Sequence, residues 1–79
     1  MTIPASVECI DGRAFRGCKR LRHVTFAPGS RLEKIGAECF QNTGIERITI
    51  PKGVTKIQTR TFYNCKKLVE VAFEAGSRL

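Results

Sequence analysis

Apolar and polar residues alternate in three short stretches of the chain: Leu21-Arg22-His23-Val24-Thr25-Phe26, Ile45-Glu46-Arg47-Ile48-Thr49-Ile50 and Leu68-Val69-Glu70-Val71-Ala72-Phe73. In each, the last two apolar positions stand two residues apart, which is the period of an extended strand. Val24 and Phe26, Ile48 and Ile50, and Val71 and Phe73 therefore face one side, and His23 and Thr25 with their counterparts face the other. Shorter extended segments are predicted at residues 7–10, 32–35 and 54–57. Phe15, Phe40 and Phe62 each come five residues after an Ile and one after a small residue (Ala14, Cys39, Thr61), which reads as a single helical or 3₁₀ turn with its ring wedged into the core. No segment keeps the 3.6-residue period beyond about one turn, so full-length helices are not expected.

These elements recur at fixed spacing. An offset of 47 positions lays residues 3–32 over residues 50–79, and 15 of those 30 pairs are identical, among them Ile3/Ile50, Pro4/Pro51, Phe15/Phe62, Cys18/Cys65 and Phe26/Phe73. Residues 32–50 form a third copy, with Leu32, Ile35, Phe40, Thr43, Ile45, Ile48 and Ile50 in the corresponding phases. The period is thus about half of 47: 25 residues separate Phe15 from Phe40, and 22 separate Phe40 from Phe62. The difference falls in turns rich in Gly, Pro or Ser, where length variation costs least.

A period in the twenties with an L-x-x-V-x-F or I-x-x-I-x-I kernel marks a leucine-rich solenoid, each turn of which contributes one short parallel strand. The expected architecture is an α/β solenoid, a right-handed leucine-rich coil of about three repeats. It is read as one unit over residues 1–79, with repeats near 3–26, 27–50 and 51–73 and a partial one at 74–79. Val24, Ile48 and Val71, and beside them Phe26, Ile50 and Phe73, should stack in register as one interior column.

Ile3-Pro4-Ala5-Ser6-Val7-Glu8-Cys9-Ile10, continued by Ala14-Phe15-Arg16-Gly17-Cys18 and the L-x-x-V-x-F kernel, resembles the BspA-type leucine-rich repeat over the whole chain. The middle unit, Asn42-Thr43-Gly44-Ile45, looks like a variant of that family's Cys-x-x-Leu. Two features depart from the pattern: Cys39 and Thr61 replace the usual Ala before Phe, and neither end carries a recognisable cap. The resemblance implies a fragment of a larger protein at a cell surface or secreted, linked to adhesion and to binding a protein or glycan ligand. The alternatives are a purely structural spacer or a cytoplasmic scaffold. Fold alone does not choose among them.

Composition narrows the chemistry. One histidine, His23, removes most acid–base and triad schemes, and no cofactor is implied, so an enzyme is not expected. Cysteines at 9, 18, 39 and 65 lack the close pairs of zinc or redox motifs, and no metal site is expected. Cys18 and Cys65 share a phase two turns apart, roughly 10 Å by strand spacing, beyond the about 7 Å that a disulfide permits. They read as small buried thiols beside each Phe, whereas Cys9, in the phase of Lys34 and Lys56, reads as exposed.

Lys and Arg number 14 against 7 Asp and Glu, a net charge of +7. The excess is not a continuous field, because residues 33–49 hold two basic groups and three acidic ones. Arg13, Glu38 and Arg60 share a phase and suggest an alternating ladder, as does Arg22 beside Glu46. Only Lys19-Arg20 and Lys66-Lys67 are unopposed, with Tyr63 the sole aromatic nearby for base stacking, which argues against nucleic acid as the partner. No apolar run suits membrane insertion, and the N-terminus lacks a signal-peptide pattern.

The outward rows of the sheet are the candidate binding surface: Arg22, Glu46 and Val69; His23, Arg47 and Glu70; Thr25, Thr49 and Ala72. The chain starts within one repeat and stops at Leu79, in the phase of Leu32. Uncovered strand edges pair with what they meet, so end-to-end self-association or a segment swap is expected.

Overall fold

A computed structural model describes residues 1–79 as a coil measuring 28 × 20 × 20 Å. One side is a four-stranded parallel sheet in the order β1 (Thr2–Ile3), β3 (His23–Phe26), β5 (Arg47–Ile50), β7 (Glu70–Phe73). A second side is a three-stranded parallel sheet of β2 (Cys9–Ile10), β4 (Lys34–Ile35) and β6 (Lys56–Ile57). Strands of one sheet thus come from successive turns of the coil, as the repeat spacing requires. Val24 pairs with Ile48 and Ile48 with Val71, so the first apolar row forms in register across three strands; in the second, Ile50 pairs with Phe73, whereas the pairing of β3 with β5 ends before Phe26. β1, at the start of the chain, adds a fourth rung by pairing Thr2 with Thr25 and Ile3 with Phe26.

The third side corrects one expectation. The segments carrying Phe15, Phe40 and Phe62 are turns, with no helix of any kind. Their backbone donors are divided between two tasks. Arg13, Phe15 and Gly17 donate across the coil to the carbonyls of Ala37, Cys39 and Gln41 at 2.8–2.9 Å. Glu38, Phe40 and Asn42 repeat this toward Thr59, Thr61 and Tyr63, each at 3.0 Å. The intervening Ala14 and Arg16 donate locally, to Asp11 and Arg13 at 3.2 Å. A helix needs every N–H pointing along its axis, whereas here alternate ones bind the next coil. The left-handed residues bracketing each segment, Arg13, Glu38 and Arg60 on one flank and Gly17, Asn42 and Asn64 on the other, make that division possible.

Burial follows from stacking against nearest neighbours. Only the middle coil is covered on both sides, and Leu32, Ile35, Cys39, Phe40, Ile45, Ile50 and Val54 are fully buried. Phe15 and Phe62 are half-buried and stack on Phe40 from either side, with centroids 5.5 and 5.8 Å away and planes within 3° and 6° of parallel. Phe26 and Val71 are also half-buried, and Phe73 is 48% exposed. Gly36 is buried against the backbone of Asp11 and Gly12 in the coil beneath, so closely that any Cβ would overlap it.

Candidate functional site

The outward side chains of the larger sheet line up as rows because parallel pairing keeps equivalent residues opposite one another. His23 pairs with Arg47 and Arg47 with Glu70, so one polar row, charged at Arg47 and Glu70, crosses three strands. Thr49 pairs with Ala72 in the row below. Arg22, His23, Thr25, Arg47, Thr49, Val69 and Glu70 are exposed, whereas Glu46 and Ala72 are half-buried. Val69, 69% exposed, places an apolar group at the edge of an otherwise polar surface. The Glu46 carbonyl fixes that edge by accepting from Val69 N at 2.7 Å and Glu70 N at 3.3 Å.

None of the charged groups in these rows is tied up in an ion pair. The pairs present are Arg13 with Glu38 at 3.2 Å and Arg16 with Glu38 at 3.8 Å, both on the turn side. The alternating ladder expected there is therefore half made: the Arg60 guanidinium lies 5.5 Å from the Tyr63 ring centroid instead. Arg22 and Glu46 are neighbours without an ion pair.

Thr2 belongs to the surface and was not legible from the kernels, since the two-residue β1 has no alternation of its own. Its hydroxyl meets that of Thr25 at 3.0 Å, and Thr25 also donates to the Met1 carbonyl at 3.3 Å. The N-terminal ammonium donates to the His23 carbonyl at 3.0 Å.

Below the charged row the sheet parts. Ala27 N donates to Ile3 O at 3.0 Å and Glu74 N donates to Ile50 O at 3.1 Å, one residue past β3 and β7. The residue in that phase after β5 is Pro51, which has no N–H for the Phe26 carbonyl. A cleft of about 180 Å³ opens there, lined among others by Thr25, Phe26, Pro28, Ser30, Thr49 and Glu74.

The cysteines are all free. Cys9 is exposed and Cys39 buried, while Cys65 is half-buried and donates to the Phe40 carbonyl at 3.0 Å. Cys18 is exposed, contrary to the buried role expected of it, because no earlier coil covers its side of the turn. Burial pushes the Cys39 thiol up to about 11, against the opposing pull of hydrogen bonds from the Phe15 and Ala14 backbone and with a small further rise from Cys9. No three His, Cys, Asp or Glu side chains gather as metal ligands, and no helix is long and apolar enough to cross a membrane.

Two parallel sheets joined by turns, with one strand of each per repeat, define a leucine-rich solenoid module. The family model for the BspA type leucine rich repeat region, in six copies, matches residues 1–78, and the chain belongs to that family. It is similar to the crystal structure of the pneumococcal vaccine antigen PcpA, with a TM-score of 0.95 and 33% identity. That match covers 99% of this chain and 19% of the PcpA chain, so the present chain spans about a fifth of its length. No curated protein matches the chain.

Proposed function

We propose that this chain is a non-catalytic interaction module of a longer, surface-exposed leucine-rich protein, and that it holds a protein or glycan ligand on the outer face of β1, β3, β5 and β7. The observation that carries this reading is the row His23, Arg47 and Glu70, exposed and in register, with its two charges, Arg47 and Glu70, free of ion pairs. Charges held by a rigid ladder and left without internal partners suit recognition, because little ordering is lost when a partner binds. Arg22, Thr25, Glu46, Thr49, Val69 and Ala72 complete the surface. The similarity to a vaccine antigen supports placement at a cell surface or in a secreted protein.

The test is to replace Arg22, His23, Glu46, Arg47 and Glu70 by alanine together and to screen wild-type and variant chains against immobilised glycans and extracellular-matrix proteins. Loss of the wild-type ligand with an unchanged far-ultraviolet spectrum is expected. A ligand held equally well by both chains would place its binding elsewhere than on the sheet face, and a wild-type chain that holds none would leave the repeats as a spacer that sets only length and curvature.

A further inference from the structure

The corner where the turn side feeds into the larger sheet differs among the three coils. The first and third pass it as Cys18-Lys19-Arg20-Leu21 and Cys65-Lys66-Lys67-Leu68, each with a small outward turn. The middle coil passes it as Thr43-Gly44-Ile45, one residue shorter and with no side chain at its centre. It therefore recedes: Gly44 is buried, and a Cβ there would lie 2.5 Å from the Lys19 carbonyl oxygen.

The result is a notch of about 460 Å³, floored by Thr43 and Gly44 and walled by Lys19 on one side and Lys66 and Lys67 on the other. No hydrophobic or acidic residue lines it, and none of the three ammonium groups is in an ion pair. At its end Asn64 donates to Asn42 Oδ1, which leaves the Asn42 amide hydrogens as further donors. The shorter middle coil interrupts the basic pattern along the chain, and in space the same shortening brings the flanking lysines around one recess.

We propose that this notch is a second binding site, independent of the sheet face, and that it takes the sulfate groups of a sulfated polysaccharide. Lysines a coil apart on either side meet successive anionic groups of an extended polymer, and gathering them without a counter-charge is repulsive until such a ligand arrives. Nucleic acid is disfavoured by the lining itself. Single-strand binding relies on stacking bases on aromatic rings, the notch has none, and Tyr63 outside it is engaged by Arg60.

The experiment measures heparin binding by the chain at about 0.15 M salt, with unsulfated hyaluronan and a single-stranded DNA oligonucleotide in parallel. It then repeats the measurement on Lys19→Gln/Lys66→Gln/Lys67→Gln. A charge-matched control is Lys34→Gln/Lys52→Gln/Lys56→Gln, all exposed and outside the notch. At about fivefold per lysine near an anionic surface, the first triple variant should bind heparin about 100-fold more weakly and lose about three units of salt slope. The control should stay within threefold, and hyaluronan should not bind. Equal losses in both triple variants, tighter binding of the oligonucleotide than of heparin, or no heparin binding by the wild type would each overturn the proposal.

Discussion

Replacing Phe40 by alanine tests whether stability resides in the middle coil. The ring is fully buried and is the only one stacked on both sides, so truncation removes its burial and two aromatic contacts. Large-to-small changes of this kind cost about 3–5 kcal/mol, and each lost stacking contact adds about 0.5–1.5 kcal/mol. Phe15→Ala or Phe62→Ala deletes a half-buried ring with one stacked neighbour and should cost about half as much. A chain this long has about 4–12 kcal/mol in total, so Phe40→Ala is expected to populate the unfolded state even in water. Phe40→Leu, at about 1–2 kcal/mol, stays measurable. Urea unfolding followed by circular dichroism gives the midpoints, compared at constant slope. If Phe15→Leu lowers the midpoint as far as Phe40→Leu, the coils do not stabilise one another through the ring stack.

Gly36→Ala should destabilise by about 1–3 kcal/mol through overpacking, because the added methyl meets backbone rather than a movable side chain; an unchanged melting temperature would contradict that close approach. Cys39 makes stability depend on alkaline pH. Its folded value lies above its ordinary 9.0, so its contribution is complete below pH 9 and declines as the pH rises through about 11, by about 3 kcal/mol in full. The alkaline loss in wild type should exceed that in Cys39→Ala, and identical pH profiles would refute the assignment. The last coil leaves Val69, Phe73 and Leu79 at 69%, 48% and 54% exposure, so the 79-residue chain should self-associate and Phe73→Glu should dissociate it. A concentration-independent monomer in sedimentation would rule this out.

The strands were legible because parallel stacking imposes two independent regularities on the sequence, period two within a strand and a period in the twenties between strands. Val24, Ile48 and Val71 satisfy both, and they pair as the spacing requires. The turns were not legible from Phe spacing, since a ring five residues past an Ile suits a helical turn as well as two bonded turns. A usable signal lay at the next positions: Gly17, Asn42 and Asn64 share a phase, and Gly and Asn are the residues that tolerate the left-handed region best. Arg13, Glu38 and Arg60 adopt the same region without any such signature. Cys18 was misplaced because phase predicts a direction, whereas burial also needs a neighbouring coil on that side. The notch escaped a column-by-column count of charge, in which the middle repeat only weakens the basic pattern.

Pro51 also sets a hierarchy within the proposed recognition surface. The charged row lies where β3, β5 and β7 are continuously paired, so Arg47 is held between His23 and Glu70. The row below it borders the cleft that opens where Pro51 supplies no donor, and Thr49 is paired only with Ala72 on the far side. A side chain on a rung fixed from both sides is better preorganised than one beside a gap. Arg47→Ala should therefore weaken ligand capture by more than tenfold, a loss of about 1.4 kcal/mol or more, and Thr49→Ala by less than threefold. Pro51→Ala, which restores an N–H opposite the Phe26 carbonyl, should narrow that difference by closing the cleft. Titration of these variants against the ligand found in the screen gives the ranking. A Thr49 effect larger than that of Arg47 would move the centre of recognition from the charged row into the cleft.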